Sequence, residues 1–140
     1  IVLAEVGSRA LSSAVNDSGT VIDVLGRAVR VLAVWARHSE AVEPRFANVG
    51  VPAITVAELF DDVFLPLARD GAGLVEVQIR LQKSLAALAS LGDERFRAEA
   101  ARHSRNALAH AQSALAMPAD IERVREAAQT VELACRNGLR

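Results

Sequence analysis

The chain has no tyrosine, one tryptophan, one methionine and one cysteine, and aromatic residues fill only 4% of its 140 positions. Its core must therefore be aliphatic, and the dominant alanine and leucine favour helix over strand. A single cysteine, Cys135, excludes an internal disulfide and fits a reducing compartment. Its place on a helical stripe predicts a packed structural thiol, not a nucleophile. No apolar run approaches the ~20 residues that span a bilayer, because charges interrupt each one. Net charge is nearly absent as well: sixteen basic and seventeen acidic residues, interspersed, leave a formal -1. Such a balance gives no electrostatic footprint for nucleic acid or an anionic membrane surface, and without a spanning run no direct membrane insertion of this segment is expected.

Other absences narrow the chemistry. There is no glycine-rich phosphate loop, no zinc-type cysteine and histidine cluster and no nucleophile-elbow serine. No catalytic residue, metal ligand set or cofactor is therefore expected, and a non-enzyme is the favoured reading. Alternating apolar and polar runs bounded by turn residues are missing too, which argues against a sheet. What remains is helical periodicity along nearly the whole chain. The expectation is an all-α fold, a single-domain bundle of five or six helices over residues 1–140.

Taken in order, Val2 to about Leu11 reads as a short helix with Gly7 as its weak point. A second helix, begun at Ser18 and running to about Ser39, carries Val21, Val24, Leu25, Ala28, Leu32 and Trp35 at core spacing. Its wet face holds Asp23, Arg27, Arg30 and Arg37, with Asp23 and Arg27 a favourable i,i+4 pair. Glu40 to Ile54, with Pro44, Asn48, Gly50 and Pro52, predicts an irregular connection. Thr55 and Glu58 form a capping box for a third helix, whose apolar face is Val56, Leu59, Phe60, Val63, Phe64 and Leu67. Pro66 should kink or end that helix.

After a break at Arg69 to Gly73, a fourth helix runs from about Leu74 to Leu91, with Leu74, Val77, Leu81, Leu85 and Leu88 inside and Glu76, Arg80 and Lys83 outside. Gly92 stops it and Asp93 caps the fifth, so these two should be antiparallel neighbours. The fifth helix, to about Ala116, offers a small-residue face of Ala100, Ser104, Ala107, Leu108, Ala111 and Leu115 around Phe96. Pro118 opens a sixth, striped by Ile121, Val124, Ala128, Val131 and Cys135 and stopped near Gly138.

The unusual chemistry lies between the first two helices, in RALSSAVNDSGT, residues 9–20. Asp17 is a good N-cap, able to accept from the N–H groups of Gly19 or Thr20. Asn16 tolerates a left-handed backbone and suits a tight turn. Small residues at Ala10, Ser12, Ser13 and Ala14 would let two backbones approach closely.

This string resembles the RALSPAxNDPxTA signature of an uncharacterised family of bacterial predicted integral membrane proteins. The matching residues are Arg9, Ala10, Leu11, Ser12, Ala14, Asn16, Asp17 and Thr20, while serines replace two family prolines at Ser13 and Ser18. Proline at the first helical position only pre-sets an angle that serine also adopts, so the second change matters little. The resemblance implies a block of transmembrane helices followed by a soluble C-terminal region, of which this chain is the last part. An opening isoleucine without a basic leader agrees with a fragment of a longer protein. No catalytic role comes with the motif.

Two further groups could carry chemistry. Glu99, His103, Asn106 and His110 share one edge of the fifth helix, at its border with the apolar face. The histidines stand ~10.5 Å apart along a straight helix, too far to hold one metal unaided, so half-buried surface histidines are expected. Glu58, Asp61 and Asp62 form an acidic group on the third helix, without the paired Glu-x-x-His pattern of di-metal bundles.

Three functions follow as expectations. The first and preferred one is a non-enzymatic accessory, regulatory or assembly domain of a membrane protein, packed on its own upstream transmembrane region or on sister copies in a homo-oligomer, and facing the cytoplasm. The second is a small-ligand or metal-sensing bundle using His103, His110 or the acidic group. The third is an enzyme with a site around Arg9, Asn16 and Asp17.

Overall fold

The computed structural model describes residues 2–37, 50 and 52–138. Six helices form among them, and no strand does: α1 Val2–Ala10, α2 Ser18–Arg37, α3 Val56–Asp70, α4 Val75–Leu91, α5 Glu94–Ala114 and α6 Pro118–Asn137. The all-α expectation holds, and most boundaries fall within a residue or two of those read from caps and stops. Ile1, the end of the second helix at Ser39, and Pro44 and Asn48 of the Glu40–Ile54 connection lie outside the described residues. Pro52, Ala53 and Ile54, at its end, have no regular structure.

Packing follows a ring. Helix α1 rests on α2, α2 on α4, α4 on α5, α5 on α3, and α3 returns to α1; α6 lies against α4 and α5. Three phenylalanine rings meet inside this arrangement, Phe60 to Phe64 at 5.3 Å and Phe60 to Phe96 at 5.5 Å between centroids. Leu25, Leu67, Leu81, Leu85 and Leu88 close around them, all fully buried. Each such side chain contributes about 1.5–3 kcal/mol through burial. Trp35 is half-buried and stacks on Phe96 at 5.9 Å, which anchors the far end of α2.

Helix α4 is more enclosed than its one-sided pattern suggests. Beside its leucines it buries Gln78, Gln82 and Ser84, because three helices surround it. Gln82 is satisfied at both ends, its Nε2 donating to the Ser104 carbonyl at 3.0 Å and its Oε1 accepting from Ser104 Oγ at 2.6 Å, whereas Gln78 donates to the Ala68 carbonyl at 3.0 Å and its Oε1 has no partner among the described residues. That reciprocal pair ties α4 to α5 and fixes their register.

Several local expectations need correction. Pro66 does not end α3, which runs on to Asp70, since the next turn is held by the buried Leu67 and Ala68. Gly7 is not merely a weak point: a Cβ there would stand 2.6 Å from Leu67 Cδ2 and 3.4 Å from Val24 Cγ1. Its bare backbone is what allows α1 to lie on α2 and α3. Close approach is thus made at Ala4, Gly7 and Ala10, all buried, while Ser12, Ser13 and Ala14 are exposed.

Candidate functional site

The α1–α2 joint is built from short-range bonds. The amides of Val15 and Asn16 both donate to the Ser12 carbonyl, at 3.0 and 2.9 Å, and the Asp17 amide reaches back to the Ala10 carbonyl at 2.8 Å. To close that turn Asn16 takes φ 48°, the only non-glycine residue at positive φ among those described. Asp17 then caps α2, its Oδ1 accepting from the Thr20 amide at 3.0 Å and its Oδ2 from Thr20 Oγ1 at 2.5 Å. The Thr20 hydroxyl bond, followed by the Thr20 amide bond, holds the Asp17 carboxyl below the usual carboxylate range. Asp17 and Thr20 are therefore engaged with each other, and Asn16 shapes the turn through its backbone. Ser12 contributes its carbonyl, and the exposed Arg9 side chain makes no ion pair among the described residues.

The second site joins residues that sequence spacing keeps apart. Arg102, on α5, puts Nη2 at 2.5 Å from Asp61 Oδ1 on α3 and at 2.6 Å from Glu99 Oε2 on its own helix. His103 Nε2 lies 3.0 Å from the same Arg102 nitrogen, 3.2 Å from Asp61 Oδ1 and 3.8 Å from Glu99 Oε2. The imidazole is packed against Phe60 and Phe64, at 5.7 and 5.9 Å between centroids. Burial, reinforced by the Arg102 charge, pushes the His103 pKa down, while the Asp61 and Glu99 bonds push that of Arg102 up. Burial thus favours the neutral form of an imidazole whose Nε2 stands between the Arg102 donor and the Asp61 acceptor.

Half-burial was the wrong expectation for His103, which is only 2% exposed. Helix α3 covers that edge of α5 and its phenylalanines take up the ring. The proposed quartet also separates: Glu99 joins the clasp, Asn106 is exposed and His110 stands half-buried further along α5. The acidic trio divides likewise. Asp61 enters the clasp, Asp62 is exposed, and Glu58 completes the capping box by accepting from the Thr55 amide at 2.8 Å. No group of three histidine, cysteine, aspartate or glutamate side chains suited to a metal ion occurs among the described residues. Between Asp61 and Glu99, the position a cation would take is filled by the Arg102 guanidinium.

Cys135 is half-buried and its thiol faces the Arg97 carbonyl at 3.4 Å, with burial raising its pKa. Two grooves flank the start of α3. One of about 470 Å³ is lined by Trp35, Ile54, Val56, Arg95 and Glu99, the other of about 590 Å³ by Val2, Pro52, Ile54 and Leu59, with Glu58 and Asp62 at its edge. No helix among the described residues is long and apolar enough to cross a membrane.

These features belong to a helical bundle whose identifying motif is a turn and a cap. The model of the family described as predicted membrane protein, DUF2254, matches residues 1–87, and the chain belongs to that family. The matched stretch takes in the joint and reaches into α4, so the α5 half of the clasp lies beyond it. No curated protein and no solved structure matches the chain.

Proposed function

We propose that this chain is a water-exposed, non-enzymatic accessory domain that helps a bacterial membrane protein assemble, packing on its own transmembrane region or on sister copies from the cytoplasmic side. The observation that carries this reading is the union of membrane-family membership with exposed apolar side chains on α1. Val2 and Val6, one turn apart, are 72% and 44% exposed, and Ile54, 62% exposed, lines the larger groove with Val2. Exposed apolar side chains gathered beside a groove suit a packing surface. The opposite character of the other faces supports it, since Asp23, Arg27 and Arg30 on α2 and Glu76, Arg80 and Lys83 on α4 stand in water. A lone thiol fits the cytoplasmic side. For the ligand-sensing and enzymatic readings no observation speaks: His103 is enclosed, Asp61 and Glu99 are bonded to Arg102, and Asp17 is engaged by Thr20.

Site-directed crosslinking in the full-length protein in membranes tests this. With Cys135→Ser as background, Val6→Cys should crosslink to transmembrane segments or to a sister copy, and Gln129→Cys on the exposed side of α6 should not. Equal yields at the two positions, or none at Val6, would sink the proposal. Its sidedness fails if C-terminal reporter fusions are active only outside the cytoplasm.

A further inference from the structure

Most charges in this chain are answered locally: Arg27, Arg69, Arg95 and Arg102, for example, each pair with a carboxylate. A small cleft between α2 and α4 departs from that pattern. It has a volume of about 140 Å³ and is lined by Gly26 and Arg30 from α2 and by Arg80, Lys83 and Ser84 from α4. The three cationic side chains are exposed, and none has a carboxylate partner among the described residues. Glu76 stands one turn before Arg80 on the same helix, yet no ion pair forms between them. Arg80 and Lys83, three residues apart, repel each other, and Arg30 adds a third positive charge from across the cleft. A near-zero net charge conceals such a local concentration.

Gly26 adds an independent observation. It lies inside α2, where glycine is a poor choice for helix stability. A Cβ at this position would stand 3.1 Å from Arg80 Nη2. The missing side chain therefore makes room for the Arg80 guanidinium against α2, at the wall of the cleft. Ser84 Oγ is committed to the Arg80 carbonyl at 2.9 Å, so the three cations supply the recognition.

We propose that this cleft binds one phosphate group, carried either by a small soluble anion or by the headgroup of an anionic lipid. Two guanidinium forks and an ammonium offer the charge-assisted donors that phosphate oxygens accept. The volume suits one such group and leaves no room for a nucleoside beside it. The cleft is a different surface from the α1 face, and the inference does not depend on what covers that face.

The test has two arms on the 140-residue chain. In the first, inorganic phosphate is titrated while the amide resonances of Gly26 and Ser84 are followed by NMR. In the second, the chain is sedimented with phosphatidylcholine vesicles with and without phosphatidic acid. Saturable shifts with phosphate alone assign a soluble anion, and retention by the acidic vesicles alone assigns a lipid headgroup; both results together assign the shared chemistry. In whichever arm binds, Arg80→Gln should weaken binding by about tenfold or more, as expected for losing a charge-assisted pair. Gly26→Ala should raise the melting temperature yet weaken binding several-fold, a combination that a merely structural role for Arg80 would not give. The proposal is overturned if neither arm binds, or if folded Arg80→Gln and Lys83→Gln proteins bind as the parent does.

Discussion

The α1–α2 joint and the α3–α5 clasp are each centred on an aspartate, and the aspartates work in opposite ways. Asp17 bonds to a residue three positions on, in the open, and satisfies backbone groups that the start of any helix leaves unpaired. Asp61 reaches across forty-one positions to Arg102, beside a buried histidine packed against two phenylalanines. The first arrangement sets where α2 begins and how the chain enters it. The second determines which face of α5 meets α3, a question about the whole ring. A family signature can thus lie on the local device while the buried polar group lies partly outside the family-matched stretch.

The sharpest way to break the comparison is to remove the apolar seat of the clasp. Phe64 is fully buried against Phe60 and His103, and Phe64→Ala should destabilise the fold by about 3–5 kcal/mol through lost burial and the cavity left behind. Urea denaturation followed by circular dichroism measures this. A loss no greater than that of a surface substitution would mean that the α3–α5 contact contributes little to the core.

The joint should respond more mildly and in a chemically graded way. Asp17→Ala should lower the melting temperature of the chain modestly, and Asp17→Asn or Asp17→Ser should recover most of it, because each still offers an oxygen to the Thr20 amide. If Asn fails where Asp succeeds, charge is the essential feature and the cap an incomplete account. The same Asp17→Asn change in the full-length protein sharpens the contrast: a stable chain within a protein that no longer assembles in membranes would show that the carboxylate acts beyond the turn.

What could be read in advance follows from this difference in range. Asp17 with Thr20, Thr55 with Glu58 and Asp93 before α5 are all caps, whose donors and acceptors sit two to three residues apart, so residue type and spacing reveal them. Helical stripes were legible for the same reason, down to Val124, Ala128 and Val131 on α6. The bond between Gln82 and Ser104 spans twenty-two positions, and a glutamine on an apolar face gives no sign of which helix will meet it. His103 looked like a border residue because the phenylalanines that enclose it lie on another helix. At Pro66 a backbone rule predicts a kink or an end, and of these the end does not occur: α3 runs on to Asp70, with Leu67 and Ala68 buried in the turn that follows.

The smallest effect, confined to a narrow pH window, tests the clasp electrostatically. Burial holds the folded-state pKa of His103 below its ordinary value of 6.5. The unfolded chain therefore takes up a proton, as pH falls through about 6.5, that the folded chain declines until lower pH. Protons bind preferentially to the unfolded state over that interval, so stability must fall with pH there and recover as pH rises. The lowered carboxyls of Asp17, Glu58 and Asp93 act in the same direction but only at more acidic pH, near the ordinary carboxylate range. The His103 contribution is therefore sought between about pH 5.5 and 7, where its own substitution separates it from anything the other histidines add. His103→Gln should flatten the stability profile in that interval, and His110→Gln, on the same helix outside the clasp, should leave it sloping. Arg102→Gln should also flatten it in part, since removing the guanidinium takes away one of the two influences that keep the imidazole neutral. A parent profile already flat between pH 7 and 5.5 would show that folding leaves the proton affinity of His103 unchanged, the pull of Asp61 and Glu99 offsetting burial and the Arg102 charge.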